Sequence, residues 1–208
     1  ALVDSSPLAD LAVVTEPTRL AVMPAHKGFL WVRAVFEGRA AHGSRPDLGI
    51  DAIRHAALYV SALDEYGNRL ISRPAHPLLK HGSVHVGTIR GGSAPSVYPD
   101  GCELVLERRT MPGERPDEVL HEFERILDEL REREGDVRAA LEQMLERPGT
   151  EVPEESRLVQ GLLRAGQKHG ISPVVEGMTA WVDAALLNEV GIPAVCYGPG
   201  DIAQAHSA

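Results

Sequence analysis

Several side chains of this sequence are of types that do chemistry in enzymes, and each stands next to a turn or a predicted strand end. Glu16 follows the apolar run Leu11–Val14, His42 lies in the glycine-flanked segment AAHGSRPDLG, and His206 follows the loop GPGD. Carboxylate and neutral imidazole are common ligands of zinc and related metal ions. Imidazole in an open loop can also donate a hydrogen bond to developing negative charge. Glu16 and His206 are therefore candidate metal ligands, and His42 is a candidate catalytic residue.

Arg109 is a candidate for binding the carboxylate of a substrate. It lies at the end of a predicted strand in LERRT, where alternation puts Arg108 and Arg109 on opposite faces. A guanidinium can hold a carboxylate through two parallel hydrogen bonds. The competing interpretation is a surface ion pair, worth roughly 0–1 kcal/mol. Equally ordinary interpretations stay open for Glu16, as a solvated turn residue, and for His42, as a surface histidine.

The elements that must position these residues begin with a central stretch that predicts the order β-α-β-β-α-β. Alternation predicts a strand over 28–37, Asp51 is placed to cap a helix, and Pro116 opens an amphipathic helix. The remaining strands are predicted at 84–89, 103–110 and 137–145. This order describes a four-stranded sheet with two helices on one face, which is a ferredoxin-like layout.

The segments on either side predict part of a second layer. A short strand is predicted at 11–15, a linker at 147–153, helices at 154–168 and 181–190, and strands near 174–175 and 194–197. Helices that alternate with apolar strands are typical of an α/β layer. We therefore predict an α+β fold in which a ferredoxin-like domain, 23–148, is inserted between catalytic-domain segments 1–22 and 149–208.

The composition narrows the classes of function. The 208 residues carry a net charge of −9, whereas nucleic-acid binding needs clustered Lys and Arg. We expect neither nucleic acid nor membrane as a partner, because no apolar run reaches the length of a membrane span. The start of the chain also lacks the features of a signal peptide. Two cysteines are too few for a disulfide framework, so we expect a cytoplasmic protein.

Five motifs in a fixed order resemble those of one known family. They are VVTEPT, AAHGSRPDLGIDAI, GGSAPSVYPDG, RRTMPGE and WVDAALLNEVGIPAVCYGPGD followed by AHSA, and they extend over essentially the whole chain. The set resembles the dinuclear zinc peptidases and deacylases, which include acetylornithine deacetylase, succinyl-diaminopimelate desuccinylase, aminoacylase and the glutamate carboxypeptidases. The resemblance implies a catalytic domain interrupted by a lid of β-α-β-β-α-β order that forms a homodimer.

The resemblance also implies roles for individual residues. Glu16 and His206 match ligands of two different metal ions, and His42 matches a lid histidine that stabilises the oxyanion in the partner subunit's site. Arg109 matches the arginine that binds the substrate's carboxylate. The loop containing Gly198, Pro199 and Gly200 matches a loop that lines the pocket. Ser96 matches a position that binds the substrate, where relatives often carry asparagine. A hydroxyl offers one donor there, whereas an amide offers two.

The function implied is metal-dependent hydrolysis of amides in N-acyl amino acids or small peptides. Two zinc ions, replaceable by cobalt, would activate water in the complete enzyme. The family's remaining metal ligands precede the VVTEPT segment, and only 15 residues precede Glu16 here. We therefore expect a fragment that is inactive alone and binds zinc weakly or not at all, because a zinc site needs three or four ligands. The alternative hypothesis is a non-catalytic dimerisation or binding module.

Overall fold

The computed structural model describes residues 9–204, and these form two structural units. In chain order the elements are β1 (Ala12–Val14), β2 (Val22–His26), β3 (Gly28–Glu37), α1 (Ala52–Ile71), β4 (Ser83–Gly91), β5 (Gly101–Thr110), α2 (Pro116–Glu134), β6 (Arg138–Arg147), β7 (Thr150–Glu151), α3 (Arg157–Lys168), β8 (Val175–Met178), α4 (Ala184–Glu189) and β9 (Ala194–Cys196), followed by a 3₁₀ turn, Ile202–Gln204. We call residues 28–147 the lid unit, and residues 9–26 with 150–204 the flanking unit.

The lid unit has the predicted β-α-β-β-α-β order. Its four strands are antiparallel and lie in the order β4-β5-β3-β6. β3 covers the predicted residues 28–37 and pairs along its whole length with β5, from Gly28 opposite Thr110 to Glu37 opposite Gly101. The prediction of an α+β fold is confirmed, whereas the domain boundaries at 22/23 and 148/149 stay a prediction.

Both lid helices begin where their sequences indicate and pack on one face of the sheet. The Asp51 carboxylate accepts the N–H of Arg54 at 2.8 Å at the start of α1, and Pro116 occupies the first turn of α2. Phe36, Tyr59 and Phe123 are fully buried between the sheet and the helices. Burying one such side chain stabilises a fold by roughly 1.5–3 kcal/mol, so this core fixes the lid unit.

The flanking unit is a mixed five-stranded sheet built from short strands. β1 is parallel to β9, β9 is antiparallel to β2, and β2 also pairs with β7 and β8. α3 and α4 pack beside these strands. No helix in residues 9–204 is long and apolar enough to cross a membrane.

Three details of the flanking unit differ from the sequence-based predictions. β2 was not predicted, because its five residues are all buried and therefore do not alternate. The segment predicted as a linker, 147–153, contains β7. α3 begins at Arg157, after Ser156 accepts the N–H of Val159 at 3.3 Å, and not at Glu154.

The chain crosses between the two units twice, and the crossings pack against each other. A Cβ on Gly28 would collide with the backbone of Gly149, so this contact requires glycine. Next to it, the buried His26 lies 3.1 Å from the carbonyl of Lys27 through Nδ1 and 3.0 Å from the hydroxyl of Thr150 through Nε2. Thr150 Oγ1 in turn accepts from Asn188 at 2.9 Å. These hydrogen bonds connect both crossings to α4.

Candidate active site

Glu16 lies at the carboxyl end of β1, beside the loop that follows β9. The parallel register pairs Val14 with Cys196, and the N–H of Tyr197 donates to the carbonyl of Val14 at 3.1 Å. The two strands therefore end side by side. A Cβ on Gly198 would lie 2.5 Å from the carbonyl oxygen of Glu16. The predicted ligand Glu16 and the predicted pocket loop are thus in direct contact.

Thr18 holds this contact in place from inside the protein. Its side chain is fully buried, and its hydroxyl donates to the carbonyl of Ala21 at 2.7 Å and accepts the N–H of Gly198 at 3.0 Å. The carbonyl of Gly200, a residue with a φ of 84°, accepts the N–H of Arg19 at 2.7 Å. Gly198 and Gly200 are therefore fixed by hydrogen bonds to the turn that follows Glu16.

The carboxylate of Glu16 is half-buried, and no residue in 9–204 donates a hydrogen bond to it. Its negative charge acts on the adjacent thiol, because burial and then Glu16 raise the pKa of Cys196 to about 12. A half-buried carboxylate without a donor is free to bind a cation. His206, the predicted ligand of the other metal, lies outside the described residues.

The described residues do not form a metal site on their own. No group of three or more His, Cys, Asp or Glu side chains in residues 9–204 is arranged to hold a metal ion. A zinc ion needs three or four such ligands, and Glu16 supplies one. Residues 9–204 would therefore hold a zinc ion only together with ligands from elsewhere.

His42 follows the end of β3, at the end of the lid sheet away from the chain crossings, and it is exposed. Its Nδ1 accepts the N–H of Ser44 at 3.2 Å and lies 2.8 Å from the hydroxyl of Ser44. Because a backbone N–H can only donate, Nδ1 is the acceptor nitrogen of the neutral ring. The proton of neutral His42 is then on Nε2, which is the donor a developing oxyanion requires.

Ser96, the predicted substrate-binding residue, lies next to His42. The N–H of Gly43 donates to the carbonyl of Ser96 at 2.7 Å, and the N–H of Tyr98 donates to the carbonyl of Ala41 at 2.8 Å. A shallow cleft of about 250 Å³ lies along these segments and is lined in part by Gly43 and Tyr98. The structure therefore brings together two predicted site residues that are 54 positions apart in the sequence.

Arg109 lies near the crossings, on the face of the lid sheet opposite the helices. Arg108 is fully buried on the helix side, which confirms the predicted alternation. The side chain of Arg109 is 30% exposed, and its guanidinium lies 5.5 Å from the ring centre of Phe29. Its Nε donates to Glu107 at 2.6 Å. Neither terminal nitrogen has a hydrogen-bond partner in residues 9–204, so both are available to a carboxylate.

The sequence analysis missed Glu107. One oxygen of its carboxylate accepts from Arg109, and the other accepts from the indole of Trp31 at 2.7 Å. Glu107 therefore holds Arg109 in one orientation against the aromatic side chains. The available signal was spacing, because residues two apart on a strand face the same side.

His42 and Arg109 are too far apart to bind one small molecule within the same chain. Arg109 pairs with Phe29 near the start of β3, whereas His42 lies beyond its end at Glu37. The eight residue steps from Phe29 to Glu37 correspond to about 26 Å at the usual rise of a strand. The candidate site of one chain is thus divided between two ends of the lid unit.

Comparison with known proteins gives this division a family context. Residues 24–134, just over half of the chain, match the family described as peptidase dimerisation domain. The chain belongs to the dinuclear zinc peptidase and deacylase family. Membership makes it part of a group of amide hydrolases whose members are metal-dependent, generally with zinc.

Two individual relatives support this family assignment. The chain is 31% identical over 197 residues to an acetylornithine deacetylase of Myxococcus xanthus, covering 94% of this chain and 50% of the relative. It is 30% identical to an acetylornithine deacetylase of Vibrio cholerae, covering 95% and 51%. The chain thus spans about half the length of these relatives.

A solved structure with a similar fold is the aminopeptidase PepT of Bacillus cereus. Its TM-score to this chain is 0.74 at 20% identity, and the match covers 91% of this chain and 49% of that one. At this identity the likeness shows the fold alone.

Proposed function

We propose that the protein takes part in zinc-dependent hydrolysis of amide bonds in N-acyl amino acids or small peptides, and that it does so as a homodimer. The observation that carries the proposal is the separation of His42 from Arg109 along β3. A substrate held by Arg109 through its carboxylate is out of reach of His42 in the same chain. A second copy related by a two-fold axis can supply that histidine.

The chemistry proposed for the chain's own residues follows from their contacts. The two terminal nitrogens of Arg109 bind the substrate's carboxylate, while Glu107 fixes the guanidinium. The partner's copy of His42 donates from Nε2 to the oxyanion formed at the amide carbon. Glu16 supplies one carboxylate to a zinc ion, whose part is to activate water. The remaining ligands must come from outside the described residues, with His206 as a candidate.

The surface proposed for dimerisation is the free edge of the lid sheet at β4. β4 is an end strand in the order β4-β5-β3-β6, so the backbone groups of its outer edge have no strand partner in residues 9–204. Two apolar side chains, Ile53 and Ile89, are 38% and 55% exposed. Ile89 lies on β4, and Cδ1 of Ile53 lies beside Gly92, just after the end of β4. A second copy can extend the sheet across this edge and cover them.

The decisive experiment mixes two inactive variants of the full-length gene product in the presence of zinc. His42→Ala removes the oxyanion donor, and Arg109→Met removes the carboxylate-binding group. A mixed dimer contains one site with Arg109 from one chain and His42 from the other. At statistical mixing of two-fold dimers, about a quarter of the wild-type activity returns.

The outcome that would contradict the proposal is equally specific. If His42 acts on its own chain's substrate, both sites of every mixed dimer lack one residue and no activity returns. A purified dimer that hydrolyses none of a panel of N-acyl amino acids and dipeptides, with zinc or with cobalt, would instead favour a binding module.

The dimer surface has its own test. We expect Ile53→Asp combined with Ile89→Asp to shift the protein to monomers in analytical ultracentrifugation. Ile71→Asp, at a side chain that is 62% exposed at the end of α1, is the matched control and leaves the dimer intact. Dissociation in both variants, or in neither, would place the interface elsewhere.

A further inference from the structure

The lid unit contains another cavity, which lies near the chain crossings at the end of the sheet where β3 begins, away from His42. It has a volume of about 330 Å³ and lies between the last turn of α1, the loop at 72–82 and the end of β5. Part of its wall is apolar and includes Leu70 and Met111. The volume is that of a small organic molecule and exceeds the space that one or two waters need.

Positive charge predominates in the wall of this cavity. Its lining includes three permanent cations, Arg73, Lys80 and Arg108, and one carboxylate, Glu114. Glu114 lies 2.7 Å from Arg108 and 3.5 Å from Arg73, and Arg73 also pairs with Glu122, which lies outside the wall. Lys80 has no carboxylate within ion-pair distance in residues 9–204. An excess cation is notable in a protein with a net charge of −9.

The pKa of a neighbouring lysine, Lys27, is affected by the positive charges on this part of β5. Burial, followed by the charges of Arg108 and Arg109, lowers the pKa of Lys27. Like charges disfavour protonation of a nearby ammonium group, so the electrostatic potential beside the cavity is positive. The same potential favours an anion inside it.

The wall of the cavity pairs one excess cation with apolar carbon. Lys80 is the cation without a carboxylate partner, and Leu70 and Met111 supply part of the apolar surface. A carboxylate on a short carbon chain matches both parts of this wall, because its oxygens can contact the ammonium group while its carbons contact the apolar side chains.

We propose that this cavity binds a small organic carboxylate, whose oxygens face Lys80 and Arg73 and whose carbon chain packs against Leu70 and Met111. The site is separate from the proposed substrate position at Arg109, because Arg108 and Arg109 lie on opposite faces of β5. Its ligand is a monocarboxylate and not phosphate, since phosphate has no apolar part to cover the carbon-lined wall.

The walls of the cavity are bonded to both chain crossings. Lys27, beside the first crossing, donates to the carbonyl of His81 at 2.6 Å. His76 lies 3.3 Å from Glu151, which follows the second. A bound carboxylate that fixes this loop therefore also fixes the contact between the lid and flanking units, and occupancy raises the stability of the whole protein by linkage.

The test uses butyrate as the probe and full-length protein with a chelator, so that no catalytic metal takes part. We expect butyrate to raise the thermal unfolding midpoint in a saturable manner at constant ionic strength. Lys80→Gln should weaken the apparent affinity by about tenfold, since each tenfold step corresponds to ~1.4 kcal/mol. Arg164→Gln, which removes the same charge from an exposed position on α3, is the control and leaves the affinity unchanged.

A second readout locates the ligand. With ¹³C-methyl-labelled methionine, butyrate should shift the resonance of Met111, assigned with Met111→Leu, and leave that of the exposed Met144 unchanged. The proposal is overturned if butyrate causes no saturable shift, if Lys80→Gln and Arg164→Gln behave alike, or if phosphate binds as tightly as butyrate.

Discussion

The lid unit and the flanking unit differ in the size of the core that each one forms. Among the described residues, nineteen buried side chains form one core in the lid unit. The flanking unit has two separate clusters of seven and five. Both units leave some large apolar side chains exposed, among them Ile71 in the lid unit at 62% and Val174 in the flanking unit at 55%. The units therefore differ in how their buried side chains are grouped, and the lid unit has the larger single core.

This difference has consequences for stability and for the candidate site. Regions with few buried apolar contacts open at a lower free energy than a large core. The contact between Glu16 and Gly198 belongs to the less stable unit, whereas Arg109 belongs to the more stable one. Trp31 lies in the lid unit. Trp181 lies in the flanking unit and packs edge-on against Phe29 of the lid unit, with ring centres 6.2 Å apart, so its fluorescence reports the flanking unit together with its contact to the lid.

The largest effect is expected at the lid core. Phe123→Ala removes a fully buried ring that packs against Tyr66 at 5.7 Å, and we expect it to lower the free energy of unfolding by about 3–5 kcal/mol. Urea unfolding monitored through Trp31, in a Trp181→Phe background, measures this loss. Val159→Ala is the matched change in the flanking unit and should lower the midpoint reported by Trp181 only. A common shift of both reporters in both variants would show a single cooperative unit.

A smaller loss is expected where the flanking unit holds the candidate site. Thr18→Val leaves the N–H of Gly198 and the carbonyl of Ala21 without their hydroxyl partner, which costs roughly 1–3 kcal/mol. The urea midpoint reported by Trp181 should fall. Thr88→Val, at an exposed position on β4, serves as control and should have little effect. Equal effects of the two substitutions would mean that the buried hydroxyl does not stabilise this turn.

Thiol labelling compares the two units directly. Cys102 lies in the lid core and Cys196 in the flanking unit, and they are 3% and 1% exposed. Burial raises the pKa of both thiols, that of Cys196 to about 12, so each reacts only when its unit opens. In single-cysteine variants we expect a disulfide reagent to label Cys196 at least about tenfold faster, an opening free energy lower by ~1.4 kcal/mol. Faster labelling of Cys102 would reverse the proposed order of stability.

The smallest effect concerns pH and the contact between the units. Burial lowers the pKa of His26 below its ordinary value of 6.5, and the neutral ring accepts from Thr150. Below pH 6.5 the unfolded chain binds a proton that the folded chain does not, so stability falls as the pH is lowered from 6.5 toward the folded pKa. The Trp181 midpoint should decrease from pH 7.5 to 5.5, and less so in His26→Gln. Replacing the exposed His121 by Gln should leave the decrease unchanged.

The sequence predicted the elements of the lid unit better than those of the flanking unit, and the way in which the strands are buried explains the difference. β3 alternates because one of its faces contacts the helices, and Asp51 marks the start of α1 with a local hydrogen bond. β2 is buried on both faces and contains Pro24, so it shows no alternation. β7 is two residues long, and its pairing with β2 spans the whole lid unit. Such long-range pairing leaves no local signal.

The candidate site was predictable in part. The placement of Arg108 and Arg109 on opposite faces of β5 followed from strand alternation. The proximity of Ser96 to His42 depends on backbone hydrogen bonds between two loops, which the residue types do not encode. The cavity beside Arg108 was missed because its wall is assembled from α1, β5 and the loop between α1 and β4.

The contact between Gly28 and Gly149 means that residues 28–147 start and finish at almost the same point in space. Domains whose two ends lie close together tolerate insertion into another chain. We therefore expect that a short turn joining His26 to Thr150 can replace the lid unit without moving the strands of the flanking unit.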